Sequence, residues 1–272
     1  MSFEKLGRGR LDYQPCRYGD ARLMFRGPRR DLSGRYTLFI GGTETYGKFL
    51  ARPFPALVEE ATGRTCVNFG CVNAGVDAFL GDPHVLEVAQ RAEVVVVQIL
   101  GAHNMSNRFY RVHPRRNDRF LDASPVMKSV FPEIDFTEFH FTRHMLGTLS
   151  ARAPERYLLL RDELRQAWVA RMRLLLNSIP GRKHLLWFTA QAPENLPPNS
   201  GLGGDPLFID RAMVDTLRPQ ISGLVEVVAS AEALQQGSRG MVYDEMEKMS
   251  ARRMLGPLAH AEAAAALVAA LA

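Results

Sequence analysis

The sequence predicts an α/β protein, a three-layer doubly wound sandwich around a five-stranded parallel sheet. Five short apolar runs recur along the 272 residues, and helix-forming stretches lie between them. The third run, Val94-Val-Val-Val-Gln-Ile-Leu100, is almost continuously β-branched, which is typical of a strand buried on both faces of a parallel sheet. Strands that alternate with helices favour the doubly wound arrangement, and we expect a flavodoxin-like strand order.

The individual elements follow from the same patterns in chain order. Strands are predicted at Tyr36–Gly41, Thr65–Phe69, Val94–Leu100, His184–Thr189 and Leu224–Ala229. Helices are predicted between these strands and after the last of them, at Pro53–Ala61, Pro83–Ala92, Pro154–Leu176 and Ala259–Leu271. The whole chain, residues 1–272, is expected to form one domain.

Two segments do not fit this alternation. Residues 1–35 precede the first strand, are rich in Arg, Gly and Pro, and form an N-terminal extension. Residues 105–150 separate the third strand from its helix and are too long for an ordinary βα loop, which predicts a functional insertion or cap.

Bulk composition limits the function classes. Hydrophobic residues make up 46% and charged residues 23%, as in ordinary soluble globular proteins. No run of about 18 apolar residues predicts a membrane span, and the polar, basic start of the chain has no secretory signal pattern. Three cysteines without metal-like spacing favour a reducing compartment, so we expect a cytoplasmic protein. The net charge of +5 comes without a nucleic-acid-binding motif, so a nucleic-acid partner is not expected.

The first predicted strand ends in a Gly-Gly turn with Thr43 at its tip. Such a turn presents a side chain at the carboxyl end of the sheet, where open α/β folds bind ligands. Gly42–Lys48 also satisfies the phosphate-loop pattern G-x-x-x-x-G-K. However, Phe49 stands where that loop needs Ser or Thr, and no Asp ends the third strand. A nucleotide-using transferase, such as a kinase or sulfotransferase, is therefore the second alternative.

Four blocks at the predicted strand ends occur in the order that one hydrolase family uses. They are Gly41-Gly-Thr43-Glu-Thr-Tyr-Gly47, Asn68-Phe-Gly70-Cys-Val-Asn-Ala-Gly75, Gly101-Ala-His-Asn104 and Gly256-Pro-Leu-Ala-His260-Ala-Glu. The first resembles the Gly-Asp-Ser-x-Thr-x-Gly block of the SGNH (GDSL-type) hydrolases, and the others resemble the later blocks of that family. The resemblance, to a divergent bacterial branch with Thr in place of Ser, covers roughly residues 36–271.

The resemblance implies an ester hydrolase or acyltransferase in which Thr43 is the nucleophile and His260 is its base. It also implies that Asn104 and the backbone of Asn73–Gly75, with Gly75 as the family's glycine, donate hydrogen bonds to the oxyanion. An alcohol needs such a base, and the developing negative charge needs such donors. The implied substrate is a small molecule or carbohydrate ester.

The chain departs from the family at informative positions. Thr43 adds a methyl group beside the nucleophilic oxygen. Pro257 stands where the family keeps the Asp that orients the histidine, so the acidic residue would have to come from Asp244, Glu245 or Glu247, or be replaced by a backbone carbonyl. These departures keep a non-catalytic domain that binds a ligand or partner at the same pocket as the first alternative. In that case Thr43 and His260 could be helix caps, and Asn104 could stabilise its own loop.

The insertion carries five arginines within twelve residues, directly after Asn104: Arg108, Arg111, Arg115, Arg116 and Arg119. Arginine forks bind two oxygens of an anion at once, so Arg111, Arg115, Arg116 and Asn73 are expected to bind an anionic substrate. Nearby carboxylates at Asp118, Asp122, Glu133 and Asp135 leave self-pairing open. His140 and His144 lack a third ligand, so no metal and no cofactor is expected. A homo-oligomer remains open.

Overall fold

The computed structural model describes residues 11–195 and 202–272. Its strands, in chain order, are β1 (Tyr36–Gly41), β2 (Thr65–Gly70), β3 (Val94–Gln98), β4 (Tyr110–His113), β5 (Arg116–Ala123), β6 (Arg182–Thr189) and β7 (Gly223–Val228). The helices up to the insertion are α1 (Thr43–Tyr46), α2 (Phe54–Thr62), α3 (Val76–Leu80) and α4 (Pro83–Arg91). They are followed by α5 (Pro125–Val130), α6 (Thr142–Arg152), α7 (Pro154–Asn177), α8 (Arg211–Asp215), α9 (Ala231–Gln236), α10 (Lys248–Ala251) and α11 (Pro257–Leu271).

Five strands form one parallel sheet in the order β2-β1-β3-β6-β7. Numbered among themselves, these strands run 2-1-3-4-5, which is the flavodoxin-like order. The predicted fold class is therefore confirmed. The main difference in bounds is that β3 ends at Gln98 rather than Leu100, although the Ile99 N–H still donates to the Leu186 carbonyl at 2.9 Å.

Alternate residues of the central strands face two separate cores, because successive side chains of a strand point to opposite faces. Leu38, Val95 and Val97 belong to the core that includes Trp168 of α7. Phe39, Val94 and Val96 belong to the other core, which includes side chains of α2 and α11. The sheet is thus covered on both faces, and the carboxyl ends of its strands stay open for a site.

The described part of the N-terminal extension packs directly on the sheet. Phe25 is fully buried, and its ring stacks on that of Phe69 in β2 at 4.0 Å with an interplanar angle of 3°. The Arg26 guanidinium donates to the carbonyls of Gly47 at 2.9 Å and Leu50 at 2.8 Å. The segment therefore fixes the connection between α1 and α2.

The insertion contains its own two-stranded antiparallel sheet, β4 and β5, followed by α5 and α6. The Asn117 side chain of β5 is buried and points back to the main sheet edge, where it accepts from the Gly75 N–H at 2.9 Å. In the part of the chain that the structure describes, no helix has the length and apolar character needed to cross a membrane.

Candidate functional site

A glutamine from the neighbouring strand holds the turn after β1. Gln98 Oε1 accepts from the Gly42 N–H at 3.0 Å, from the Thr45 N–H at 3.3 Å and from the Thr45 hydroxyl at 2.6 Å. A Cβ atom on Gly41 would lie 2.0 Å from Thr45 Oγ1, so only glycine allows this packing. The Gln98 side chain on β3 therefore fixes the conformation of the turn between β1 and α1.

Thr43 is the first residue of α1, and its hydroxyl contacts the loop after β2 rather than its own helix. Thr43 Oγ1 accepts from the Asn73 N–H at 3.0 Å and lies 3.4 Å from Asn73 Oδ1. The Asn73 backbone has φ +56°, a conformation that Asn tolerates better than most residues. Thr43 is 9% exposed.

Asn104 and Gly75 pack against each other at the same edge of the sheet. Asn104 Nδ2 donates to the Asn73 carbonyl at 3.2 Å, and Asn104 Oδ1 accepts from the Thr142 hydroxyl at 2.8 Å. A Cβ atom on Gly75 would lie 1.6 Å from the Asn104 carbonyl oxygen. The structure therefore brings Thr43, Asn73, Gly75 and Asn104 together, but the Gly75 N–H is used by Asn117.

A cavity of about 410 Å³ opens beside Thr43, and we call it the carboxyl-edge pocket. It lies at the ends of β1, β3 and β6, and its lining includes Thr43, Glu44, Asn73, His103, Asn104 and Arg253. This is the place where open α/β sheets hold their ligands, and its volume falls in the usual range for a small-molecule site.

Burial shifts the protonation of two groups that line this pocket. Burial lowers the pKa of His103 to about 4, against a smaller opposing effect of Asp205, so its imidazole is neutral at pH 7. Burial raises the pKa of the Glu44 carboxyl, although Gln98 Nε2 donates to it at 2.9 Å. Arg143 pairs with Asp205 at 2.9 Å. Carboxyls, guanidinium groups and amides thus share one concave surface.

His260 lies behind the pocket and not in its lining. Its Nδ1 accepts from the Phe54 N–H at 3.1 Å, and its ring packs against Phe54 and edge-on against Phe188, which does line the pocket. Burial, with a smaller contribution from the charge of Arg26, lowers the pKa of His260 to about 3. Among the described residues, no hydrogen bond joins His260 to Thr43.

The carboxylates considered as partners for His260 are engaged elsewhere. Asp244 Oδ1 accepts from the Glu247 N–H at 3.0 Å. Glu245 pairs with Lys248 at 2.6 Å, and Glu247 lies 3.5 Å from Lys48. Neither the hydrogen bonds nor the ion pairs that Glu245 and Glu247 form with described residues reach the imidazole.

The phosphate-loop alternative gains no support from the turn. Two amides that would cradle a phosphate, those of Gly42 and Thr45, donate instead to Gln98. The Lys48 ammonium lies 4.5 Å from the centre of the Phe49 ring and close to Glu247, and Lys48 does not line the carboxyl-edge pocket.

The arginines of the insertion separate into two groups. Arg111 donates to both carboxylate oxygens of Asp122, at 3.0 and 2.7 Å, and Arg108 pairs with Glu163 at 2.8 Å. Arg115 and Arg116 line a different cavity, beyond the loop that carries Asn73. None of these four arginines lines the carboxyl-edge pocket.

Three important residues of this region were not singled out from the sequence. His103 stands inside the block Gly101–Asn104, and its position next to Asn104 could have marked it. Gln98 interrupts an apolar strand, which is a signal for a buried polar role. Asn117 carries no signal, because its contact with Gly75 depends on how the insertion folds back.

No group of three or more His, Cys, Asp or Glu side chains within residues 11–195 and 202–272 is arranged to hold a metal ion. Of the two histidines noted from the sequence, His140 lines the same cavity as Arg115. The His144 ring contacts Phe139 edge-on at 5.2 Å.

Comparisons with known proteins give one family and several distant structures. The model of a family described as "Domain of unknown function (DUF6473)" matches residues 1–272. No curated protein matches the sequence. The chain is similar to the lipase Lip_vut3 from a goat rumen metagenome, at 8% identity, with 87% of this chain and 97% of that chain covered and a TM-score of 0.41.

Two further solved structures are also distantly similar, the second of them at a lower TM-score. One is a possible lipase from Chitinophaga pinensis, at 11% identity, with coverage of 87% of this chain and 97% of that chain and a TM-score of 0.41. The other is a gut microbial diltiazem-metabolizing enzyme, at 11% identity, with coverage of 80% and 40% and a TM-score of 0.30. Similarity this distant carries no argument about activity.

Proposed function

The chain belongs to the DUF6473 family, and we propose that it binds a small hydroxylated carboxylate, such as a sugar acid, in its carboxyl-edge pocket without chemical turnover. One observation carries this proposal: groups that an acyl hydrolase would use are bound to other parts of the protein. Thr43 Oγ1 accepts from Asn73, the Gly75 N–H donates to Asn117, and His260 accepts from Phe54.

The strongest argument against turnover is that His260 is buried and already accepts a hydrogen bond from Phe54. A threonine hydroxyl is a poor nucleophile unless a neighbouring base removes its proton. With its pKa lowered to about 3, the buried His260 imidazole takes up a proton only in strong acid. Its Nδ1 already accepts the Phe54 N–H. Nucleophilic attack by Thr43 would therefore need a different base.

The polar groups of the pocket suit hydroxyl and carboxylate groups. Arg253 lines the pocket and makes no ion pair with the described residues, so its guanidinium is available for a carboxylate. Thr43, Asn73 and Asn104 contribute hydroxyl and amide groups to the same lining. Burial raises the pKa of the Glu44 carboxyl, which lines the same pocket and accepts from Gln98 Nε2 at 2.9 Å.

Acyl hydrolysis or transfer by Thr43, on an O-acyl carbohydrate or related ester, is the second candidate. One observation favours it: His103 lines the same pocket as Thr43, and its Nδ1 has no hydrogen-bond partner among the described residues. Its lowered pKa, about 4, keeps the imidazole in the base form at neutral pH. His103 would then replace His260 as the base.

Ligand-observed NMR with glucuronate and glucose as probes tests the proposal. We expect saturation transfer to glucuronate and a weaker effect on glucose. Arg253→Gln should remove the preference for the acid, whereas Arg252→Gln, an exposed neighbour outside the pocket, should keep it. Wild type and Thr43→Ser should both leave p-nitrophenyl acetate unhydrolysed above background.

Three results would contradict this function. Absence of glucuronate binding, or equal losses in both arginine variants, would remove the carboxylate ligand. Ester turnover that disappears in Thr43→Ala and in His103→Ala would replace the binding function with the second candidate.

A further inference from the structure

A second, larger cavity lies on the other side of the loop that carries Asn73. It has a volume of about 800 Å³, and we call it the basic groove. Tyr46 of α1 and Cys71 and Val72 of the loop after β2 form the wall nearest the carboxyl-edge pocket. The two cavities therefore share a wall but have different linings.

The basic groove is lined by five arginines: Arg17, Arg22, Arg115, Arg116 and Arg119. His113 and His140 also line it, whereas none of the described residues in its lining is an Asp or Glu. The arginines come from two distant segments, the N-terminal extension and the β4–β5 hairpin. Arg17 and Arg22 are far in sequence from the three arginines of the hairpin, so it is the fold that brings these positive charges together.

Other arginines of the insertion have carboxylate partners. Arg108 pairs with Glu163, Arg111 with Asp122, and Arg143 with Asp205. By contrast, Arg22, Arg115 and Arg116 make no ion pair with any described residue. Arg119 instead lies over the Phe141 ring at 4.2 Å. Converging like charges destabilise a folded protein through mutual repulsion unless an anion offsets them.

We propose that the basic groove is a binding site for a small ligand that carries two or more phosphate groups. Each guanidinium can donate two parallel hydrogen bonds to a phosphate, and arginines at both sides of a concave cavity can hold more than one such group. Leu121, which is 52% exposed, and Met24, which is 44% exposed, line the same groove and offer apolar contact to the rest of the ligand.

The acidic residue nearest the shared wall is already engaged. Asp118 Oδ2 accepts from Asn73 Nδ2 at 3.2 Å, so this carboxylate faces the loop between the cavities. It is not part of the groove lining. Because the two cavities have no described lining residue in common, the phosphate site does not depend on the ligand proposed for the carboxyl-edge pocket, and one proposal can fail without the other.

Isothermal titration calorimetry with tripolyphosphate tests this site. Wild type should bind tripolyphosphate more tightly than inorganic phosphate, and its affinity should fall as NaCl rises from 50 to 200 mM. In Arg115→Gln/Arg116→Gln, the dissociation constant should rise at least about tenfold, as expected for lost charge-assisted hydrogen bonds. Arg108→Gln/Arg111→Gln changes the net charge equally outside the groove and should change the constant less than about twofold.

Three outcomes would overturn the proposal, provided that thermal unfolding shows both variants to be folded. The first is no heat of binding for tripolyphosphate with wild type. The second is an equal loss in the two double variants, which would show a general charge effect. The third is co-sedimentation with phosphatidylserine vesicles, lost in Arg115→Gln/Arg116→Gln, without binding of tripolyphosphate. That result would assign the groove to a membrane surface.

Discussion

His260 differs from a catalytic histidine in the hydrogen bond that it accepts. The first N–H groups of a helix have no acceptor within the helix, and Phe54 is the first residue of α2. His260 Nδ1 supplies that acceptor from a position 206 residues later in the chain. Only an unprotonated ring nitrogen can accept, so burial and this contact both favour the neutral imidazole. The residue thereby joins α11 to α2.

The stability of the folded protein should depend on pH through the protonation of His260. Its pKa is about 3 in the folded state and about 6.5 when unfolded. Between these values the unfolded state binds a proton that the folded state does not, so stability falls as pH falls. From pH 7 to pH 5, wild type should lose about 2 kcal/mol more unfolding free energy than His260→Gln, which keeps an acceptor but does not titrate.

Urea unfolding at pH 7, 6 and 5 measures this difference. His144→Gln, which replaces an exposed histidine, should follow the wild-type pH dependence. Parallel curves for wild type and His260→Gln would show that the imidazole titrates normally in the folded protein.

The turn between β1 and α1 takes its shape from a neighbouring strand. Gln98 ends β3, and its side-chain oxygen accepts from three donors of the turn. The shape of the pocket therefore depends on a contact between β3 and the turn that follows the neighbouring strand β1. The two residues that make this contact, Gly42 and Gln98, are 56 positions apart in the sequence. A change at Gln98 should disturb the turn without touching Thr43.

Gln98→Met keeps the approximate volume and removes the acceptor. Three buried donors then lose their partner, and at about 1–3 kcal/mol for each donor we expect a total loss of about 3–9 kcal/mol. Thr45→Val removes one donor and should cost about 1–2 kcal/mol. The double variant should lose less stability than the sum of the two single losses, because both changes remove the same hydrogen bond.

Chemical denaturation of the single and double variants gives these values. Gln90→Met is the matched control, because the exposed Gln90 side chain makes a single hydrogen bond to the described residues, to the Ser178 carbonyl at 3.3 Å. It should change stability by less than about 0.5 kcal/mol. A loss below about 1 kcal/mol in Gln98→Met would mean that water replaces the missing acceptor.

The elements of the sheet could be predicted because burial on both faces imposes continuous apolar runs. The β4–β5 hairpin could not, because its strands are half-exposed and rich in arginine, with an irregular pairing register between Arg111 and His113. The meeting of Thr43 and Asn104 follows from the rule that parallel strand ends share one edge. The same rule does not predict that His260 accepts from the Phe54 N–H. That contact depends on how closely α11 packs against α2, which no local sequence pattern indicates.

At the scale of the whole molecule, the N-terminal extension completes the fold. Tyr18, Leu23 and Phe25 are buried in the same core as the central strands. Arg26 is only 7% exposed, and its guanidinium donates to the backbone carbonyls of Gly47 and Leu50 within the link between α1 and α2. One side chain therefore joins the extension to the segment that follows the candidate site.

Arg26→Lys tests how strongly the stability of the fold depends on the contacts of the Arg26 guanidinium. Arg26 contacts four carbonyls, those of Tyr46, Gly47, Leu50 and Ala51, and its guanidinium lies 5.0 Å from the Tyr13 ring centre. Lysine offers a compact ammonium with three donors, which cannot span that set of acceptors. We expect a loss of about 2–4 kcal/mol in unfolding free energy, because buried carbonyls would lose charge-assisted donors.

The same substitution should also loosen the link locally before the chain unfolds. Phe49 donates its N–H to the Tyr13 hydroxyl at 2.9 Å, so its amide reports on the contact between the extension and the link. Hydrogen exchange at Phe49 should accelerate in Arg26→Lys, while amides within β3 should keep wild-type protection. Arg29→Lys, an exposed change three residues away, should leave both measurements unaltered. If Arg26→Lys instead leaves the Phe49 amide protected and the unfolding free energy within about 0.5 kcal/mol of wild type, then apolar packing around Phe25 holds the extension alone.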